Sequence, residues 1–393
     1  MLGSGDLIYL DANATTHMPD EVVAEMIKWI NCGNPSAGYK TAAAGRARMT
    51  AMRKYIAKLC GISPCCIEPR DGGGPSDPMR IVRNEYRLIF TSGASESNCT
   101  FVRAVVDAYR ESRGAPPHVV CSAIEHKSIL SQVEDYAERG IIELTLVAPM
   151  RTGHILPTDI LTALRPNTVL AICMHANNET GAVNDVVEMG RLCHTRNVVF
   201  FTDCVQSFGK FPPRPYPHID AFSASFHKLH GPPGVGLLAV KSELWEGFRL
   251  RPTVYGTQNL GMRGGTENLP ALMAAQAALT ITMTDRLGKN RALQRMRRIV
   301  LERLKATKIP IMTYAAYGDE SPDICIVCFS GISGDYLPNT LLISLVKKTK
   351  PYVCNVEMKN QLEAEGIIVS VGSACNTASA KASHVLYALG ADE

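Results

Sequence analysis

Short apolar runs and helical stretches follow one another along the middle of the chain. The runs at 118–121, 141–147 and 168–175 predict strands, and the stretches at 127–139 and 185–196 predict the helices between them. This alternation favours an α/β fold in which helices cover both faces of a mainly parallel sheet. A ligand in such a fold lies beyond the carboxyl ends of the strands.

Two further predicted strands, at 198–201 and 221–225, are each followed by a side chain with distinctive chemistry. Asp203 follows the first and Lys228 follows the second. A pyridoxal phosphate (PLP) site needs a lysine that forms a Schiff base and an acid that faces the pyridine nitrogen. Either residue alone is more often an ordinary surface lysine or strand-end aspartate, so the surroundings decide the interpretation.

A third predicted strand, at 87–91, runs into a turn of small residues at 92–98, after which helical residues resume. A glycine turn that opens a helix presents free N–H groups and the positive end of the helix dipole, which suits a phosphate. Ser95 adds a hydroxyl donor. The turn is therefore a candidate phosphate site, although most such turns, taken alone, only connect a strand to a helix.

The composition excludes several other classes of protein. The chain has 393 residues, a formal net charge of +4 and 20% charged residues, with no basic stripe that would bind nucleic acid. No apolar run approaches a membrane span, and the N-terminus lacks the pattern of a signal peptide. Thirteen scattered cysteines predict reduced thiols in a cytoplasmic protein. Cys325 and Cys328 have metal-ligand spacing but no second pair, so they are predicted to be core cysteines and no metal site is expected.

Residues 61–86 interrupt the alternation with prolines, a run of glycines and mixed charges. This composition predicts an exposed inserted loop.

Taken together, motifs spread over nearly the whole chain resemble the cysteine desulfurase (NifS/IscS-like) family of class V aminotransferase-type, fold-type I PLP enzymes. The motifs are Tyr9 to Thr16, Gly33 to Ser36, Thr91 to Asn98, Glu125 to Lys127, His175 to Gly181, Asp203 to Gln206, His227-Lys228 with Gly231-Pro232, Arg263 to Asn268, and Gly372 to Cys375.

The resemblance implies a mainly parallel seven-stranded sheet sandwiched by helices, plus a smaller α+β domain. Residues 1–20 would join the small domain, and residues 21–262 would form the large PLP-binding domain with 61–86 as its insertion. Residues 263–393 would form the small C-terminal domain, shortened relative to the family.

The resemblance also implies roles around the cofactor ring. Lys228 would bind PLP covalently and move the proton on the substrate's Cα, while Asp203 would pair with the pyridine nitrogen. Gln206 and Asn178 would hydrogen-bond on the side of the phenolic oxygen. His126 would stack on the ring and act as an acid or base for the substrate thiol.

Further residues would bind the cofactor's phosphate, namely Ala94, Ser95, Ser225, His227 and Thr266. Because the family supplies the Thr266 contact from a second subunit, a homodimer is implied.

Cys375 matches the family's sulfur-accepting nucleophile and lies among small residues. Its thiolate would take sulfur from L-cysteine as a persulfide, release alanine and pass the sulfur to an acceptor protein.

The sequence departs from the family pattern at several positions. Phe226 replaces a glycine and is expected to crowd or reshape the turn before Lys228. Cys204 and Val205 replace a small residue and a threonine. Relatives continue beyond the position of residue 393, and their substrate-clamping arginine has no counterpart here. A charge-assisted bond of that kind is worth roughly 1.5–3 kcal/mol, so weakened activity is expected unless Arg46 or Arg263 substitutes.

Two alternatives remain open at this stage. The chain could bind PLP but act through protein interactions with little or no desulfurase activity, or it could catalyse another PLP reaction such as that of a selenocysteine lyase. A shortened member of the family also resembles NifS-like proteins of large DNA viruses, which would place it in the host cytoplasm or the virion.

Overall fold

The computed structural model describes residues 7–64, 85–211, 218–331, 335–350, 353–372 and 382–391. Cys375 and most of the predicted insertion lie outside these residues. The strands are β1 (Ile8–Tyr9), β2 (Ser63–Pro64), β3 (Glu85–Thr91), β4 (His118–Ser122), β5 (Glu143–Val147), β6 (Thr168–Ile172), β7 (Val199–Asp203), β8 (Ala221–Ser225), β9 (Gly236–Lys241), β10 (Ile311–Thr313), β11 (Ile324–Cys328), β12 (Ile343–Lys347) and β13 (Ile367–Ile368). The helices are α1 (Asp20–Lys28), α2 (Lys40–Cys60), α3 (Ala94–Arg113), α4 (Lys127–Glu138), α5 (Pro157–Ala163), α6 (Val186–His194), α7 (Ser242–Gly247), α8 (Leu269–Thr284), α9 (Arg286–Lys305), α10 (Asn355–Ala364) and α11 (His384–Ala388).

The large sheet has the strand order β2-β3-β9-β8-β7-β6-β4-β5. Only β9 runs antiparallel to its neighbours. Seven of these strands form the mainly parallel sheet that the sequence predicted, which is confirmed, and β2 adds two residues at one edge. Because β3 and β9, and β9 and β8, pair antiparallel, β3 points the same way as β7 and β8.

The central strands are buried along their whole length, which explains their nearly continuous apolar sequences. Successive side chains of a strand point to opposite faces. Phe200 accordingly joins a core with Met52 of α2 and Leu272 of α8, whereas Phe201 stacks on Phe101 of α3 at 4.9 Å between ring centroids. Helices thus cover the sheet on both sides.

The two ends of the predicted insertion belong to the sheet rather than to a loop. Ser63 and Pro64 pair in parallel with Glu85 and Tyr86, so backbone hydrogen bonds hold both ends. Tyr86 is buried as well. Only residues 65–84 are left as the predicted loop, and they lie outside the described part of the chain.

A second region contains the sheet β10-β11-β12 and the short parallel pair β1-β13. In that pair Ile8 is opposite Ile367, so the N-terminal segment lies against residues near the other end of the chain. The domain boundaries at 20 and 262 stay predictions. Cys325 and Cys328 are buried in β11, as predicted for core cysteines. Within the described ranges no helix is long and apolar enough to cross a membrane.

Candidate active site

The predicted cofactor residues lie at one edge of the large sheet because β3, β7 and β8 end there. Asp203, the last residue of β7, is opposite Ser223 of β8. Gly236 of β9 is opposite both Ser225 and Thr91, so β9 alone separates the ends of β3 and β8. This register brings the turn at 92–98 and the residues after β7 and β8 to one region.

Asp203 is only 3% exposed and has two hydrogen-bond donors. Asn98 Nδ2 donates to Oδ2 at 2.9 Å, and the backbone N–H of Val205 donates to Oδ1 at 2.8 Å. Asn98 also donates to Ser128 Oγ at 3.0 Å. The sequence analysis gave Asn98 no role, although its place at the end of the Thr91 to Asn98 motif was a usable signal.

Lys228 ends a single 3-10 turn, Phe226–Lys228, that follows β8. Its Nζ donates to the backbone carbonyl oxygens of Asn13 and Ala14. Thr16 N–H and its hydroxyl both donate to the carbonyl of His227, at 3.0 and 2.8 Å. The N-terminal motif therefore packs directly on the lysine turn.

Asn13 connects several of the predicted residues. Its carbonyl oxygen accepts from Gln206 Nε2 at 3.1 Å, and its Nδ2 donates to the Asn178 carbonyl at 2.9 Å and to Thr340 Oγ1 at 2.8 Å. Sequence analysis quoted Asn13 within a motif but assigned it no role. The signal for such a role was the place of Asn13 in the Tyr9 to Thr16 motif.

His126 is the N-cap of α4, and its Nδ1 accepts from the Ser128 N–H at 3.1 Å. A ring nitrogen that accepts from a backbone N–H carries no proton, so in the neutral ring the proton lies on Nε2. That nitrogen can donate to a ligand. Through Ser128, His126 is joined to Asn98 and so to Asp203.

Glu125 lies beside this network with its side chain fully buried. Its Oε1 accepts from the Ser122 hydroxyl and from the Met174 N–H at 2.6 Å. Burial, together with the negative charge of Asp203, raises the pKa of Glu125 to about 8. A neutral carboxylic acid therefore sits next to His126 at physiological pH.

His227 precedes Lys228 in the same turn, and its Nδ1 lies 3.1 Å from Thr15 Oγ1. Burial and the positive charge of Lys228 lower the pKa of His227 to about 4. Its imidazole is therefore neutral near pH 7 and can donate a hydrogen bond without carrying charge.

The start of α3 is open toward solvent. Ser95 is exposed and Ala94 is half-buried. A Cβ placed on Gly93 would meet no atom within 4 Å, so there is space beside the first N–H groups of the helix. Ser225 is buried, and Thr266 is exposed in the segment before α8.

The two arginines considered for the substrate carboxylate both have other partners. Arg263 forms a two-pronged ion pair with Glu96, at 2.8 and 3.1 Å. Arg46 donates to the carbonyl oxygens of Pro35 and Ala37. The geometry favours neither of them as the group that binds the substrate carboxylate.

Comparisons with known proteins agree with this geometry. The class-V aminotransferase model matches residues 80–389. The cysteine desulfurase IscS of Anaeromyxobacter dehalogenans (strain 2CP-C) is 30% identical over 98% of this chain and 84% of its own length. The cysteine desulfurase IscS of Methanosarcina thermophila is 29% identical over 98% of this chain and 83% of its own length. Among solved structures, a NifS-like protein has a TM-score of 0.78 at 26% identity, covering 98% of this chain and 90% of its own. SspA in complex with cysteine has a TM-score of 0.74 at 27% identity, covering 98% and 94%.

The chain therefore belongs to the class-V aminotransferase family, as a NifS/IscS-like member. This family is PLP-dependent. The predicted fold type and cofactor are thereby confirmed, whereas a viral origin stays a prediction.

Proposed function

We propose that this protein is a PLP-dependent cysteine desulfurase that converts L-cysteine to L-alanine and passes the sulfur to Cys375 as a persulfide. The observation that carries the proposal is a buried, doubly hydrogen-bonded Asp203 at the same sheet edge as Lys228. The names of the relatives support the substrate, since IscS proteins are named cysteine desulfurases and SspA was solved with cysteine.

The residues at this edge fit PLP. The space beside Gly93, at the start of α3, suits a phosphate because the first N–H groups of a helix are unpaired within it. Ala94, Ser95, Ser225 and the neutral His227 would contact that phosphate. The exposed position of Thr266 is consistent with a contact to a second copy of the chain, which supports the homodimer.

The other assigned residues would hold the ring. Asp203 would accept from the pyridine N–H, and its own two donors would keep the carboxylate in that orientation. The side chains of Gln206 and Asn178 would donate hydrogen bonds on the side of the ring that carries the phenolic oxygen of PLP. His126 would stack on the ring face.

PLP, when bound, supplies an electron sink for the carbon next to the substrate amine. Lys228 Nζ would remove the Cα proton and later return one to the product. Nε2–H of His126 would exchange a proton with the substrate thiol. The Cys375 thiolate would then attack the substrate sulfur, so that an S–S bond forms as the C–S bond breaks.

Gly372 and Ser383, which lie on either side of Cys375 in the sequence, are both near Glu179. Ser383 Oγ donates to Glu179 Oε2 at 2.6 Å, and a Cβ placed on Gly372 would lie 3.7 Å from the same oxygen. Glu179 follows Asn178 directly. Cys375 follows Gly372 by three positions within the Gly372 to Cys375 motif, and this motif supports its role as the nucleophile.

The test measures alanine and sulfide released from L-cysteine, together with the visible absorbance of the PLP-loaded protein. We expect Cys375→Ala to abolish turnover but keep the absorbance, and Lys228→Ala to remove any cofactor that borohydride can fix to the chain. Cys354→Ala is the control, because Cys354 is exposed and outside the motif.

Three outcomes would count against the proposal. Turnover that survives Cys375→Ala would rule out the persulfide route. A wild-type protein that binds PLP without turning over L-cysteine would favour a PLP-binding interaction protein. Faster turnover of selenocysteine than of L-cysteine would favour a selenocysteine lyase.

A further inference from the structure

Lys210 lies next to the site, although none of the assigned roles uses it. It is half-buried, and its Nζ donates to Gln206 Oε1 at 3.2 Å. The two residues are four apart in a turn where Phe208 N–H bonds the Cys204 carbonyl, so their side chains point the same way. In the part of the chain that the structure covers, no carboxylate forms an ion pair with Lys210.

The two neighbours of Gln206 fix the orientation of its amide. A lysine ammonium can only donate, so the amide oxygen must face Lys210. A backbone carbonyl can only accept, so the amide NH₂ must face Asn13, which it reaches at 3.1 Å. Lys228 donates to the same Asn13 carbonyl, so the NH₂ group of Gln206 points toward the reactive lysine.

The backbone that carries Lys210 is held in place. Lys210 N–H donates to the Ser207 carbonyl at 3.0 Å, and Asn290 Nδ2 of α9 donates to the Lys210 carbonyl at 2.6 Å. Gly209 has φ of +75°, and a Cβ there would lie 2.9 Å from the Leu229 side chain. The turn is thus packed against the residue that follows Lys228.

We propose that Lys210 is a positioning residue of the cofactor site, which holds the Gln206 amide with its NH₂ group toward Asn13 and Lys228. The proposal rests on the proposed function, since Gln206 is the residue assigned to the phenolic oxygen of PLP. Without Lys210 only the Asn13 carbonyl orients the amide. The amide then rotates more readily and can present its oxygen to the phenolic oxygen of PLP, which repels it.

The charge on Lys210 is sensitive to pH. Burial, and then the positive charge of Lys228, lower the pKa of Lys210 to about 7. Lys228 is the charged group that acts on it, while Gln206 and the α9 residue Asn290 contribute neutral amides. A neutral amine donates more weakly and can also accept, so it orients the amide less strictly.

The test is a double-mutant cycle on PLP affinity, measured by titrating the apoprotein with PLP at slightly acidic pH. We expect Lys210→Met to weaken binding roughly five- to thirty-fold, and Gln206→Met at least as much. The double variant should bind no worse than Gln206→Met, because Lys210 acts through Gln206. Lys210→Arg should recover affinity. Lys289→Met, at an exposed position of α9, should leave the PLP affinity unchanged.

A second measurement needs no change at Lys210. The wild-type protein should lose its advantage over Gln206→Met as the pH rises through about 7. The proposal would be overturned if Lys210→Met bound PLP as tightly as the wild-type protein. It would also be overturned if the losses of affinity in the two single variants multiplied in the double variant, or if the difference in affinity between wild type and Gln206→Met did not change with pH. A wild-type protein that shows no PLP absorbance at all would instead refute the proposed function.

Discussion

Polar groups of residues that lack an assigned role, from side chains and from the backbone, hold the assigned residues in place. Asn98 donates to Asp203, and Asn13 receives both Gln206 and Lys228 through one carbonyl oxygen. A buried carboxylate that loses a donor bears the cost of its own desolvation, so these partners matter as much as the groups they orient. The site is therefore a network rather than a set of independent contacts.

The buried carboxyl group of Glu125 predicts how the free energy of unfolding changes with pH. Its carboxyl has an ordinary pKa of 4.5 and a folded-state pKa of about 8, so the folded chain binds the extra proton between these values. Its contribution to stability is therefore full below pH 4.5 and is lost as the pH rises through about 8. The free energy of unfolding should fall by up to ~1.4 kcal/mol per pH unit over this range.

Glu125→Gln should remove this part of the slope, measured by urea unfolding of the apoprotein at a series of pH values. Glu138→Gln, at an exposed position, is the matched control. If wild type and Glu125→Gln differ in stability by a constant amount at every pH, the raised pKa is contradicted.

At the scale of elements, the turn after β8 is shaped by Phe226, which stands where the resemblance leads one to expect glycine. Its side chain is fully buried and meets the Phe208 ring edge-on, with centroids 6.3 Å apart. A Cβ on Gly231 would lie 2.9 Å from Phe226 Cβ, so the next turn leaves room for it. Phe226 thus fills the core beneath the turn that carries Lys228.

Phe226→Ala should lower the free energy of unfolding by about 3–5 kcal/mol, because it opens a cavity in a packed core. Urea unfolding measures the loss. Phe248→Ala, at a position 42% exposed, should cost about 1 kcal/mol or less. Equal losses for the two variants would show that Phe226 is not part of the core.

At the scale of the whole molecule, residues near the two ends of the chain meet beside the site. β1 pairs with β13, and Ser370 Oγ donates to Asp11 Oδ1 at 2.9 Å. Asn13 reaches Thr340 and Asn339 as well. The segment that contacts Lys228 is therefore held by the C-terminal part of the chain.

The proposed homodimer can be tested by complementation between two defective chains. Thr266→Ala alone should weaken PLP binding, and Lys228→Ala alone should prevent covalent attachment. In a mixed dimer, the intact Lys228 site receives Thr266 from its partner, so affinity should recover at that site. No recovery in a mixed dimer of verified composition would contradict a contact made between subunits.

The apolar runs fixed the strands in advance, since a strand buried on both faces must be apolar along its length. The chemistry at the carboxyl ends of β7 and β8 could also be predicted, because parallel strands bring these ends to one edge. The sequence thus determined the sheet, Asp203 and Lys228 from local pattern, and the family resemblance supplied the cofactor roles.

Only the tertiary structure decided which groups support Asp203 and Lys228. Asn98 and Asp203 are 105 residues apart, and Asn13 and Lys228 are 215 apart. The burial of Phe226, the sheet pairing at both ends of the predicted insertion and the bond from Lys210 to Gln206 likewise depend on packing. A hydrogen bond between distant residues is set by the path of the chain, which no local pattern of apolar and polar positions records.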